Sequence, residues 1–220
     1  QQAQLVDAIH SGDASVIGLD IIYAEPEESP VVEDVRAIVK DLRGRRLVPL
    51  AAAEAMDQRF AEAQIDRQFA QSLASSGNVV LATPFFVPEL QSVESDPSYQ
   101  QPASNLLARN EFMLVKQSQA GEGLQPYRAT SVLLPLESFA RAAQGLGHVY
   151  RLPDHDGVTR REVLALRYQD RYYPSFALEV ARFHLGLPRE QVALSLGEGV
   201  RFGTRLLPTD PKSRAVINYA

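Results

Sequence analysis

The sequence predicts an α/β fold: a mixed, partly parallel sheet flanked by helices, with an antiparallel hairpin and a long irregular excursion. Three observations predict it. Two apolar runs, residues 15–24 (SVIGLDIIYA) and 78–83 (NVVLAT), read as strands with helix-period sequence between them. That is a βαβ unit, whose strands run parallel. The later half carries short alternating segments and Asp/Gly turns, the signature of antiparallel pairing. The chain has 220 residues, 45% hydrophobic and 22% charged, which is the composition of a globular chain. A domain of that size buries about 70% of its unfolded surface and needs no cross-link.

The elements follow in order. Residues 2–10 read as a short helix stopped by Ser11-Gly12, with His10 at the negative end of the helix dipole. Residues 15–24 are apolar on both faces, as in a fully buried strand, and Asp20 is their one acid. Residues 25–30 (EPEESP) form a proline-marked loop. Residues 32–42 form a helix, closed by Gly44 and Arg45-Arg46. A second helical region, residues 51–75, breaks near Asp66; Met56, Phe60, Ile65, Phe69 and Leu73 make its core stripe. Gly77 ends it, and the 78–83 strand follows.

Residues 88–126 are rich in Gln, Ser and Pro and weakly periodic, apart from a short strand at 112–115. A segment of that length without strong structure marks a functional or variable excursion. Residues 135–144 read as a helix and 147–152 as a third strand. Residues 154–157 (DHDG) are a turn, because Asp and Gly tolerate turn dihedrals. Residues 160–167 (RREVLALR) alternate and form a hairpin with Tyr172-Tyr173. Residues 174–185 form a helix, with Pro174 in its first turn and Phe176, Val180 and Phe183 on one stripe. The tail, 191–220, reads as short strands separated by Gly197, Gly199, Gly203 and Pro208.

Composition excludes several functions. Basic residues number 22 and acidic residues 27, a net charge of -5, so the chain does not bind nucleic acid by bulk electrostatics. It has no Cys, which removes thiol catalysis, Cys-based zinc sites and iron–sulfur clusters. Its longest apolar runs, such as 78–87, are about half of a membrane span. It begins at Gln1 and ends in a strand-like stretch, residues 215–220, and reads as a piece of a longer protein.

Few residues carry chemistry. Gly197, Gly199 and Gly203 are spaced unlike a dinucleotide fingerprint, and no helix pattern follows them, so they read as a turn. His148, Asp154, His155 and Asp156 are metal-ligand types, but the turn itself requires the two Asp; neither a metal nor a cofactor is expected. No Ser has a local His and Asp signature. Asp20 is the most informative acid. In a buried strand its charge needs a partner, for which Arg160 or Arg161 is the natural choice. The pair is either a structural strut or the polar floor of a ligand site at the strand ends. The candidate ligand-binding residues are Asp20, His148, Asp156, Arg160, Arg161 and Tyr173.

Several segments together resemble one family. They are Gly147-His148-Val149-Tyr150, then Asp154-His155-Asp156-Gly157-Val158-Thr159-Arg160-Arg161, then Tyr173-Pro174-Ser175-Phe176-Ala177-Leu178-Glu179-Val180-Ala181. Residues 16–26, 66–82, 208–210 and 217–219 extend the likeness. The chain resembles the second class of CHASE sensor domains (cyclase/histidine-kinase-associated sensory extracellular). That family's usual aromatic, Trp-containing stretch before the first helix has no counterpart here, since the chain has no Trp.

The resemblance implies one sensory domain over residues 1–220, the extracytoplasmic (periplasmic) part of a bacterial inner-membrane receptor. It implies flanking transmembrane helices, a homodimer, and an output module that is a nucleotide cyclase, a histidine kinase or a Ser/Thr kinase. The signal would be a small molecule or a protein, and the fragment itself would not be an enzyme. No binding residue carries over from the family. The alternatives are a stand-alone soluble enzyme using Asp20 and His148, and a structural or assembly domain that binds no small molecule.

Overall fold

A computed structural model describes residues 1–25, 30–45, 47–49, 51–52, 55–56, 65–88, 105–117 and 125–219. At its centre lies a three-stranded parallel sheet: β1 (Ile17–Leu19), β2 (Val79–Thr83) and β7 (Gly145–His148), with β2 in the middle. All five residues of β2 are buried, as its unbroken apolar run requires. Helices α1 (Gln2–Ser11), α3 (Ile65–Ser76) and α5 (Glu137–Ala142) share one hydrophobic core with this sheet, through Val6, Phe69, Leu73, Phe139, Val79, Leu81 and Leu146. Phe69 and Leu73 are four apart and therefore face the same way. Tyr23, Phe69 and Phe139 meet there with ring centroids 5.0 to 5.9 Å apart.

The opposite face receives α6 (Phe176–His184). Its approach depends on glycine. A Cβ on Gly147 would lie 2.4 Å from the Phe176 Cα, and one on Gly145 would lie 2.6 Å from the Phe183 ring. A side chain at Gly147 would run into the helix backbone, and one at Gly145 into the Phe183 ring. Ser175 caps α6, its Oγ accepting from the Leu178 N–H at 3.2 Å. Ser175 also forms a parallel bridge with His148, which ties the start of the helix to β7.

The other strands build smaller sheets around this centre. β9 (Ala165–Tyr168) and β10 (Arg171–Pro174) form an antiparallel hairpin, and β5 (Arg128–Ala129) runs parallel to β9. β4 (Leu114–Gln117), β11 (Val192–Leu196), β12 (Gly199–Phe202) and β13 (Arg205–Pro208) form a four-stranded sheet in the order β13-β12-β11-β4. β8 (Arg161–Val163) pairs with β14 (Arg214–Val216), and β3 (Phe85–Phe86) with β6 (Ser131–Val132). The fold is thus a mixed α/β one with partly parallel sheets, as the sequence predicts.

Details differ from expectation. The 15–24 run is a strand only over Ile17–Leu19, and Asp20, Ile21 and Ile22 are exposed. Among the described residues β1 pairs with β2 alone, at the edge of the sheet, and it ends at Leu19. The third strand begins two residues early, at Gly145. Pro174 ends β10 rather than starting the helix, because Ser175 supplies the cap. Residues 32–42 lie within α2 (Pro30–Gly44). Within 88–126, the described residues hold α4 (Asn105–Ala108) and β4, which begins two residues later than the expected strand and shares Leu114 and Val115 with it. Phe60 and residues 89–104 and 118–124 lie outside the described residues. Ile65 is exposed at the start of α3 while Phe69 and Leu73 are buried, so only part of the expected stripe faces the core.

Candidate functional site

The carboxyl ends of parallel strands collect ligands in open α/β sheets, because side chains and loops converge there. Here those ends carry two polar side chains that β-alternation turns inward. Thr83 closes β2, His148 closes β7, and they are register partners. Thr83 is fully buried and His148 is 1% exposed. The Tyr150 N–H donates to His148 Nδ1 at 3.4 Å. An Nδ1 that accepts places the ring proton on Nε2. That Nε2–H and the Thr83 hydroxyl are both buried without a hydrogen-bond partner among the described residues. Burial pushes the His148 pKa down to about 3, so the ring is neutral and a donor through Nε2.

A closed apolar shell surrounds the two donors. Phe85, Leu107, Leu146, Gly147, Tyr173 and Pro174 line it together with Asn110. The cavity between them is too tight for a water molecule. Phe85 meets the His148 ring edge-on at 6.3 Å between centroids and Tyr173 at 5.4 Å. Tyr173 is 3% exposed. Burial pushes its hydroxyl up to about 12, with the nearby Glu111 adding to the shift, so it stays neutral. Asn110 pegs the far wall: its Oδ1 accepts from the Leu146 N–H at 2.8 Å, and its Nδ2 donates to the Leu106 carbonyl at 2.9 Å. Among the described residues, no charged side chain lines the cavity.

The six candidates from the sequence fall into three places. His148 and Tyr173 meet in this cavity. Asp156, Arg160 and Arg161 gather instead on the 154–157 turn, at the surface. Arg160 donates to both oxygens of Asp156, at 2.9 and 2.7 Å, and to Asp154 at 3.1 Å. Arg161 stands 3.8 Å from Asp154. The Arg160 guanidinium, helped by the Val158 N–H, holds the Asp156 carboxyl below its usual range. This group rigidifies an exposed turn.

Asp20 belongs to neither place. The expected buried Asp20–Arg160 strut does not form: Asp20 is exposed, and Arg160 takes its partners from its own turn. A buried acid–base strut exists elsewhere. Arg182 donates to both carboxylate oxygens of Glu179, at 3.0 and 2.8 Å, and to the Leu187 carbonyl at 3.1 Å. Both side chains are under a tenth exposed. Alternation cannot reveal this pair, because Glu179 and Arg182 are three apart on one helix face and resemble an ordinary surface pair.

Thr83 and Asn110 also escaped the sequence reading. For Thr83 the signal was present: one polar residue ending an apolar parallel strand. Asn110 left none, since its role depends on which backbone N–H it faces. Among the described residues, no cluster of three His, Asp or Glu could hold a metal. Among the described residues lining the site, the Thr83 hydroxyl is not hydrogen-bonded to a base. What the site offers is two neutral donors in an apolar enclosure.

Compared with known families, the chain matches the CHASE2 domain over residues 1–220. No curated protein and no solved structure matches it.

Proposed function

The chain belongs to the CHASE2 domain family, sensory domains of signalling receptors, and on that premise we propose that it is the extracytoplasmic sensory domain of a bacterial transmembrane receptor. In this reading it controls a cytoplasmic nucleotide cyclase, histidine kinase or Ser/Thr kinase and acts as a homodimer. The observation that carries the reading is the family match over the whole chain. The site agrees with reception rather than turnover, since its polar groups are donors held in a closed shell. A signal biases the domain only through its different affinity for two arrangements. The tie from His148 to Ser175 at the cap of α6 gives such a bias a route from the sheet end to a helix.

Topology tests the reading. In the parent protein, alkaline phosphatase fused after residue 219 should be active, since that enzyme folds only outside the cytoplasm. A cytoplasmic reporter at the same point should be silent. The reverse pattern, or a parent without membrane-spanning stretches on either side, overturns the proposal.

A further inference from the structure

We propose that the His148–Thr83 cavity is the ligand site of this domain, seen closed, and that its ligand is a small uncharged molecule with one acceptor oxygen and an apolar body. The proposal rests on the sensory reading above and names the chemistry that would be sensed. Three features of the cavity lead to it.

The first is the pair of buried orphans. An unpartnered polar group in a dry interior is left desolvated with nothing in return, and two on adjacent strands of the main sheet are a standing destabilisation. Neighbouring strands lie about 4.8 Å apart, which sets Thr83 and His148 side by side as register partners, and one acceptor oxygen placed between their tips would serve both donors. The second is polarity. The His148 tautomer fixed by the Tyr150 N–H makes Nε2 a donor, and the Thr83 hydroxyl is free to donate. The ligand therefore accepts. The third is charge. The described lining holds no charged group, His148 is neutral, and an ion buried without a partner is very costly. The ligand therefore carries none. Phe85, Leu107, Tyr173 and Pro174 would cover its apolar part.

The closed cavity sets the size and the affinity. A ligand enters when a wall side chain moves, and Leu107 lies beside the Asn110 peg that holds the wall to β7. The space a displaced Leu107 side chain releases suits a ligand of its own size, four heavy atoms or slightly more. Because the open arrangement is a minor population, the apparent affinity is reduced by its fraction.

The test uses the 220-residue chain and three probes: 2-butanone and propionate, which are of similar size, and the smaller, wholly apolar xenon. NMR follows the Thr83 methyl and the His148 ring protons. The expected result is a saturable shift with 2-butanone only. Thr83→Val and His148→Phe should each weaken it by about tenfold, the usual worth of one hydrogen bond. Thr83→Val should keep the fold, which the NMR spectrum of the unliganded variant checks, so that a loss of binding is read apart from a loss of structure. Saturable binding of propionate overturns the uncharged class, and filling by xenon alone makes the cavity merely apolar. A 2-butanone shift that survives both variants, or no saturable shift at all, refutes the site. None of these results depends on the reporter fusions, so the ligand site and the receptor reading fail separately.

Discussion

Thr83→Val should make the protein more stable. Thr83 sits in the central strand of the parallel sheet, has no exposed surface, and its Oγ1 finds no partner among the described residues. Valine has the same shape and replaces the hydroxyl by a methyl group. It removes the penalty of a buried orphan, about 1–3 kcal/mol, and leaves the packing unchanged. At about 2–4 °C per kcal/mol for a chain of this size, the melting temperature should rise by roughly 2–12 °C. Scanning calorimetry measures the rise, and urea unfolding checks that the m-value is unchanged, so that the gain is stability and not a change in the unfolded state. Thr83→Ser is the control. It keeps the hydroxyl, removes a buried methyl, and should cost about 1 kcal/mol. If Thr83→Val is less stable than the parent at equal m, the hydroxyl has a partner and the argument for an orphaned donor fails.

Three further outcomes follow from the same geometry. His148 stays neutral in the folded state down to about pH 3, while the unfolded chain protonates it near 6.5; the unfolded chain therefore binds the extra proton in that window, and stability should drop as pH is lowered through it, by about 1.4 kcal/mol per unit from this residue. Urea midpoints between pH 7 and pH 4 should show that slope, and His148→Phe should flatten it. Gly147→Ala places a Cβ 2.4 Å from the Phe176 Cα, and thermal melts should show a loss at the upper end of the ~1–3 kcal/mol seen for overpacking, or more; Gly157→Ala, whose Cβ meets nothing within 4 Å, should cost less despite its positive φ. Glu179→Ala strands Arg182 in the interior and should cost about 3–5 kcal/mol, whereas Glu179→Met with Arg182→Met should recover most of that; an additive double variant in denaturant titration would contradict the buried pairing.

Legibility followed the range of the forces involved. The parallel pair β1–β2 was readable because both strands lie in apolar runs, unbroken by exposure in β2, and α3 was readable where Phe69 and Leu73 repeat at helical spacing. Asp20 was misplaced for the same reason: an acid in an apolar run reads as buried, but β1 is an edge strand and the chain turns outward after Leu19. Arg160 found its partners four and six residues away, within the turn, where local geometry brings them together before any distant acid. His148 and Tyr173 were visible as polar-tipped residues near strand ends, but not as neighbours, since 25 positions separate them in the chain.

By itself the sequence determined the fold class and the absence of thiol and cluster chemistry, because composition and periodicity are summed along the chain and survive without knowledge of contacts; the family likeness rests instead on short ordered segments such as Tyr173-Pro174-Ser175-Phe176. The tertiary structure alone decided that Thr83 and His148 stand side by side, that Asn110 pegs the wall beside them, and that Glu179 and Arg182 are buried. Whether a polar atom finds a partner depends on register and on the few ångströms between elements, and no pattern along a single strand carries that distance.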